Sequence, residues 1–376
     1  MRILILTASY GSGHNEAARS LAAAFEREHA EVVIVDHFRD LVHPRFERAS
    51  RALYYFMLRR TPLVWGMAYA LGDWMSSDSR WSFGVTRLGT EPLARLLERL
   101  APDVVVTVHA TPAVVMSTLR ELGRPVPPHT TVVTDFVAHS QWIASHIDRY
   151  CVAADEVKHE FIARGIPSER IVVTGVPLRA EFGQPVAADV ARGAFGLSLR
   201  TPVVLAMAGS RGAFGRLPDV VRVLKRVACP LQGVVVAGRD VRLAERLRAL
   251  SAGTSVRVLG YVPEIRRLMA TADLLVTKVG GMTLAEAMAT GLPLVSFGSL
   301  PGQERRNERF ASRAGVALVA RSSRELERAI ERALATPELL DQLREQTRAL
   351  GRPAASRQIV AAVLGRDIPS PTETFP

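Results

Sequence analysis

The chain opens MRILILTASYGSGHNEAARSL (Met1–Leu21), and this stretch decides the fold class. Ile3–Leu6 is a short apolar run that ends at once in the glycine-rich turn Tyr10-Gly11-Ser12-Gly13-His14. A helical pattern starts near Asn15 and continues to Glu28. A strand that feeds a helix through such a turn is the opening unit of a parallel α/β sheet. The run is too short and too quickly interrupted to read as a signal peptide.

The same alternation continues downstream. Strand candidates are Val32–Val35, Val104–Val108, Thr131–Thr134, Arg149–Val152 and Ile171–Thr174. A second series comprises Val203–Ala208, Gly233–Ala237, Val256–Leu259, Leu274–Thr277 and Leu294–Phe297. Several are continuous and β-branched, as strands covered on both faces must be. Helical patterns at Pro92–Leu100, Glu156–Arg164, Pro218–Val227 and Thr283–Ala289 lie between them. Two series predict two Rossmann-like domains, residues 1–180 and 202–349. Residues 181–201, rich in Gly and Pro, read as the linker. The pattern at Ser323–Ala349 precedes a helix, within 350–367, that is expected to cross back onto the first domain. The tail 368–376 reads as disordered.

The chain has 376 residues, 48% of them hydrophobic, which suits two cored domains. Cys151 and Cys229 make no disulfide framework and lack metal-ligand spacing, so a cytoplasmic location is expected. There is no apolar stretch of about 20 residues, so membrane contact is expected to be peripheral. The net charge is +11, which suits nucleic acid, anionic lipid or acidic small molecules. Only Lys158, Lys225 and Lys278 are lysines, so the same charge has a purely compositional reading as an arginine skew. No nucleic-acid-binding module is recognisable, and no nucleic-acid partner is expected.

Residues 40–90 interrupt the first domain with interleaved aromatic and arginine residues, among them Tyr54, Arg59, Arg60, Trp65 and Trp74. Such a helical insertion lies well in a lipid interface, with rings at headgroup depth. The alternative is a helical pair packed on the sheet with its arginines in water.

Two regions carry candidate chemistry. At the first turn, Gly11 and Gly13 let backbone N–H groups approach a ligand at a helix N-terminus. A dinucleotide fingerprint is disfavoured, because Glu16 stands where its third glycine belongs, although Asp36 imitates the ribose-binding acid. His14, at a helix start that favours neutral imidazole, suits a general base. In the second domain, Leu274–Lys278 runs into Val279-Gly280-Gly281-Met282-Thr283 and a helix carrying Glu286. The glycines free backbone to cradle phosphate, and Glu286 can take both hydroxyls of a ribose. Ala208-Gly209-Ser210-Arg211-Gly212 is a second such turn. Gln303 and Glu304, after Pro301-Gly302, can hydrogen-bond sugar hydroxyls. Three polar loops at strand ends of one parallel sheet point to one ligand site.

The order of these motifs resembles the diacylglycerol glycosyltransferases, the monogalactosyldiacylglycerol synthases and processive diacylglycerol glucosyltransferases. More distantly it resembles the N-acetylglucosaminyltransferase of peptidoglycan lipid-intermediate synthesis. The matching pieces are LTASYGSGHNEAARSL at 6–21, PDVVVTVHATP at 102–112 and TDFVAHSQWIASHIDRYCVAADEVK at 134–158. VTGVPLRAEF at 173–182, TKVGGMTLAEAMATGLPLV at 277–295 and PGQERRN at 301–307 complete them. The resemblance implies a GT-B fold with parallel sheets facing a central cleft, acceptor on the first domain and donor on the second. It implies an inverting transfer of a hexose from UDP-glucose or UDP-galactose to diacylglycerol, with no metal and no cofactor. His14 or Asp135 would be the base, with His109, Gly11 and Gly13 beside the acceptor. Arg179, Ser210, Gly280, Gly281 and Thr283 would hold the diphosphate, with Arg211 and Lys278 nearby. Glu286 would hold the ribose, and Gln303 with Asn307 the sugar. The enzyme would sit peripherally on the anionic inner face of the cell membrane. The alternatives are a related transferase with a polyprenyl-linked or other acceptor, and a nucleotide-sugar epimerase. The MAGSRGAFG segment departs from the family's longer glycine run.

Overall fold

The computed structural model describes residues 1–61, 64, 66–67, 88–207 and 215–368. The chain clusters into two compact units. Among the described residues, the first comprises Met1–Ala180, Pro301–Gln303 and 354–368, and the second Glu181–Leu300 with Glu304–Pro353.

The first unit holds a parallel sheet of β1 (Arg2–Thr7), β2 (Glu31–Asp36), β3 (Val104–Thr107), β4 (His129–Val132), β5 (Arg149–Val152) and β6 (Ile171–Val173). Its strand order is β2-β1-β3-β4-β5-β6. Ile3, Leu4, Ile5 and Leu6 are fully buried, as are Val105 and Val106 beside them. Each such side chain contributes about 1.5–3 kcal/mol on leaving water. Helix Thr90–Leu100 buries Leu93, Ala94, Leu96 and Leu97, the single stripe of an amphipathic helix on a sheet.

The second unit repeats the plan with β7 (Val203–Met207), β8 (Gln232–Val236), β9 (Val256–Leu259), β10 (Leu274–Thr277), β11 (Leu294–Phe297) and β12 (Ala317–Ala320). Its order is β12-β11-β10-β7-β8-β9, with every pairing parallel. In each sheet the chain reverses its direction of travel once, between β1 and β3 and between β7 and β10. The carboxyl ends of strands at such a reversal leave a crevice where ligands bind.

Some elements differ from the sequence reading. β4 lies two residues earlier than Thr131–Thr134, because His129 is a buried strand residue rather than a polar interruption. Its Nε2 lies 3.0 Å from Thr107 Oγ1 and 3.3 Å from Thr131 Oγ1. β12 and helix Ala110–Glu121 are additional. The pattern at Ser323–Ala349 is two helices, because Pro337 starts a new one after Thr336. Residues 181–201 include helix Ala188–Ala194, which is fastened to the second sheet. Arg192 Nη2 lies 2.6 Å from Asp273 Oδ2, and its Nε donates to Thr271 O at 2.9 Å. The helix at the chain's end, Ala355–Val363, belongs to the first unit, where Ser356 Oγ donates to Leu178 O at 2.6 Å. The tail from residue 369 is outside the described residues. Among the described residues, no helix is long and apolar enough to cross a membrane.

Candidate functional site

The reversal between β1 and β3 gathers the first set of candidates. Gly11 is extended backbone (φ −143°) and helix Ser12–Arg27 begins directly after it. A polar chain fixes this turn. Thr7 Oγ1 donates to Asn15 Oδ1 at 3.0 Å, and Asn15 Nδ2 donates to Ser9 Oγ at 2.9 Å. Ser9 Oγ in turn donates to Asp36 Oδ2. Asp36 also caps the next turn by accepting from Arg39 N at 3.0 Å. Asp36 therefore has a structural task in place of a ribose. Glu16 is paired with Arg19 at 2.6 Å and with Arg179 at 3.4 Å, so its charge is balanced within the unit.

His14 stands in the first turn of that helix. Its Nδ1 is 2.8 Å from the carbonyl oxygen of Val108, just past β3, and 3.1 Å from Thr134 Oγ1, just past β4. A carbonyl only accepts, so Nδ1 carries the proton and Nε2 keeps its lone pair. Burial pushes the pKa of His14 below the ordinary histidine value, while Asp135 and the Val108 carbonyl pull the other way. The ring is therefore neutral near pH 7 and oriented from behind, which is the state a general base requires. A Cβ on Gly11 would lie 3.9 Å from His14 Cδ2. The missing side chain thus keeps the space beside the imidazole open.

The other first-unit candidates surround His14. The His109 ring packs edge-on to it at 4.8 Å between centroids. Its Nδ1 accepts from Thr111 N at 3.1 Å, capping helix Ala110–Glu121. Burial, then the neighbouring His14 and His37, hold its pKa well below the usual value. Asp135 is 4% exposed, and its Oδ1 accepts from the side-chain amide of Gln303, which belongs to the first unit. Gly13 lies inside the first helical turn. Val108 and Thr134 carry no sequence signal, since both act across long chain separations and Val108 acts through its backbone, whereas Asn15 acts locally within the turn.

Helix Pro44–Arg60 joins this region through Tyr10, whose hydroxyl donates to Ser50 Oγ at 2.6 Å. Tyr54 is half-buried, edge-on to Tyr10 at 5.8 Å, rather than turned to solvent. The outward apolar side chains are Leu53 (57% exposed) and Phe56 (58%), with Arg45, Arg48 and Arg60 exposed beside them. Trp65, Trp74 and the side chain of Arg59 lie outside the described residues.

The second reversal, between β7 and β10, gathers the other set. Ser210 and Arg211 follow β7 and lie outside the described residues. After β10, Gly280 is extended (φ −77°), and among the described residues a Cβ there would meet no atom within 4 Å. Neither its backbone conformation nor packing among the described residues demands glycine there. Helix Gly281–Ala289 starts two residues earlier than the sequence pattern and has no side-chain cap. The first-turn N–H groups of Gly281, Met282 and Thr283 thus have no intrahelical acceptor and carry the positive end of the helix dipole. Glu286 falls a turn and a half into the helix and is half-buried. Lys278 Nζ donates to Glu304 Oε1, and Glu304 Oε2 accepts from Leu300 N at 2.9 Å. Both residues are therefore occupied with holding the loop. Asn307 is fully buried on helix Gln303–Arg313, of which Gln303 is the first residue.

The first unit, by itself, offers a neutral, oriented imidazole, and the second, by itself, an uncapped helix start suited to a phosphate. Comparison with known proteins gives this chemistry a family. Residues 14–178 match the model for monogalactosyldiacylglycerol (MGDG) synthase, and residues 216–350 that for glycosyl transferases group 1. The processive diacylglycerol beta-glucosyltransferase of Bacillus cereus strain G9842 is 31% identical over 373 residues, 98% of this chain and 95% of the relative. MurG of Acinetobacter baumannii superposes with a TM-score of 0.63 at 16% identity, over 97% of this chain and 99% of its own. The UDP co-structure of S. aureus MnaA gives 0.63 at 15% identity, over all of both chains. The two structural likenesses establish the fold as GT-B, with two Rossmann-like domains. By its 31% identity to a relative matched along nearly the whole chain, the protein belongs to the diacylglycerol glycosyltransferase family and is a hexosyltransferase.

Proposed function

We propose that this enzyme moves a hexose from a UDP-sugar to the free hydroxyl of diacylglycerol, inverting the anomeric centre to give a β-glycosyl-diacylglycerol. The acceptor class is supported by the relative's activity as named, and the UDP donor by the UDP held in the MnaA structure of the same fold. The observation that carries the mechanism is the bond from His14 Nδ1 to the Val108 carbonyl, which leaves Nε2 basic.

In this reading Nε2 takes the acceptor hydroxyl's proton as its oxygen forms a bond to the anomeric carbon. The bond from that carbon to the diphosphate oxygen breaks on the opposite face, and UDP leaves with the electron pair. Asp135 stabilises the imidazolium that forms, as its pull on the His14 pKa implies. The amides of Gly281, Met282 and Thr283 stabilise the charge on the departing diphosphate. Arg179 adds positive charge, Glu286 takes the ribose, and Gln303 reads the sugar, while the fully buried Asn307 does not face it. No metal is required by this division of labour. Helix Pro44–Arg60 docks the enzyme peripherally on an anionic membrane through Leu53, Phe56 and its exposed arginines.

The test is transfer to detergent-dispersed diacylglycerol from UDP-glucose and, separately, UDP-galactose, with the extracted lipids read by mass spectrometry. A hexosyl-diacylglycerol product is expected, and the preferred donor names the sugar. UDP binding without a lipid product would move the acceptor to another class, such as a polyprenyl-linked sugar.

A further inference from the structure

The loop that follows β10 is held by two carboxylates from one helix face. Glu304 and Glu308 are four residues apart on helix Gln303–Arg313, so they project from the same side. Glu304, whose other oxygen accepts from Leu300 N in the loop after β11, grips the loop after β10 through the side chain of Lys278. Glu308, 1% exposed, reaches it through two buried serines.

The hydrogen bonds run in one direction. Val279 N donates to Ser299 Oγ at 3.2 Å. Ser299 Oγ lies 3.1 Å from Ser296 Oγ, and Ser296 Oγ donates to Glu308 Oε2. Because the Ser296 proton is committed to a carboxylate, which only accepts, Ser299 must be the donor between the serines. The chain ends on a charge that Arg321 Nη1 balances at 2.5 Å from Glu308 Oε1. Ser296 is fully buried and Ser299 is 7% exposed, so water does not compete for these bonds. Gly298, with φ at +77°, makes the turn that brings Ser299 back under Val279.

We infer that Ser299 and Glu308 are positioning residues for the donor. They fix the amide of Val279, and with it the entry into the uncapped first turn at Gly281, at a point where no side-chain cap does so. This rests on the reading of that turn as the diphosphate site. Lys278 and Arg321 each neutralise one carboxylate, so the clamp does not present uncompensated negative charge to a diphosphate.

The test compares UDP binding by calorimetry for the wild type, Ser299→Ala, Ser299→Thr and Glu308→Gln, with melting curves and amide exchange at Val279. Ser299→Ala is expected to weaken UDP on the order of tenfold, the size seen when an outer partner of a binding group is lost. Ser299→Thr, which keeps the hydroxyl, should restore it. The Val279 amide should exchange faster in Ser299→Ala and Glu308→Gln, while the amides of β10 stay protected. In turnover, the donor KM should rise with kcat retained. Equal UDP affinity in wild type and folded Ser299→Ala would overturn this inference alone. No UDP binding by the wild type would overturn the donor reading and this inference with it. If Glu308→Gln fails to fold, the alanine and threonine pair at Ser299 still decides.

Discussion

All nine histidines of the chain lie between His14 and His159, in the first unit, and the second unit has none. The two units share a sheet plan yet do their chemistry with different materials. In the proposed mechanism the working group at the first reversal is a side chain, His14, set by a carbonyl and a hydroxyl. At the second, the proposed diphosphate site is the backbone at a helix start that follows Gly280. A side-chain site is lost by deleting one group. A backbone site survives most substitutions and fails when something occupies its space.

The sharpest way to break this contrast is His14→Ala. Turnover should fall by about 100-fold or more, the usual size for a general base, while UDP affinity stays at the wild-type value. Near-normal turnover in a folded variant would hand the role to Asp135. The counterpart is Gly280→Val. Its backbone is extended and, among the described residues, the added Cβ meets no atom within 4 Å, so the melting temperature should hold. UDP affinity should fall by about 10- to 100-fold as the side chain enters the ligand's space, the range that a misfit of one or two carbon atoms costs. Unchanged affinity would show that the diphosphate does not approach Gly280.

The histidine imbalance also predicts a difference in acid stability. Burial lowers the pKa values of His14, His37 and His109, and lowers that of His129 to about 3. Each binds its proton less readily folded than unfolded. Stability is therefore full above the ordinary value of 6.5 and declines as pH falls below it, for His129 on toward about 3. Each such group adds a slope of up to about 1.4 kcal/mol per pH unit. Unfolding followed by tryptophan fluorescence reports the first unit, since all four tryptophans precede residue 143. Its midpoint should drop between pH 6.5 and 5, and His129→Gln should flatten that drop. For turnover, the acid limb of kcat/KM should lie below 6.5. Asp135→Asn should move it lower still, because Asp135 favours the imidazolium.

The contrast also explains what was legible in the sequence. Strands such as Arg149–Val152 and Leu274–Thr277 were readable to the residue, because their buried residues are consecutive rather than alternating. β4 was misplaced where a buried histidine broke that run. His14 and Gly280 were visible because glycine-rich turns after strands are local signals. Their supports were not, because Val108 acts through its carbonyl and Thr134 stands 120 residues from His14. Glu308 was hidden for the same reason. In PGQERRNERF it reads as one more charge on a polar helix, and only the fold shows that its face points inward. Asp36 is the reverse case, a residue in a suggestive position whose oxygens accept from Ser9 and Arg39, in keeping with the disfavoured dinucleotide fingerprint.

The smallest expected effect concerns how the first unit meets its acceptor. Helix Pro44–Arg60 turns Leu53 and Phe56 outward, with Arg45, Arg48 and Arg60 beside them, while Tyr54 packs inward on Tyr10. Outward apolar groups beside arginines fit a lipid interface, where rings and aliphatic chains enter and guanidinium groups meet anionic headgroups. Leu53→Ser with Phe56→Ser should weaken sedimentation with anionic vesicles by about tenfold, since each side chain gives up only part of its burial energy. Turnover on detergent-dispersed acceptor should change little, because neither side chain touches the Tyr10–Ser50 bond that ties the helix to the glycine-rich turn. Undiminished vesicle binding would leave this helix as a packing element. A parallel loss in detergent would instead mean that the helix sets the turn and His14 with it, and the division of labour within the first unit would have to be redrawn.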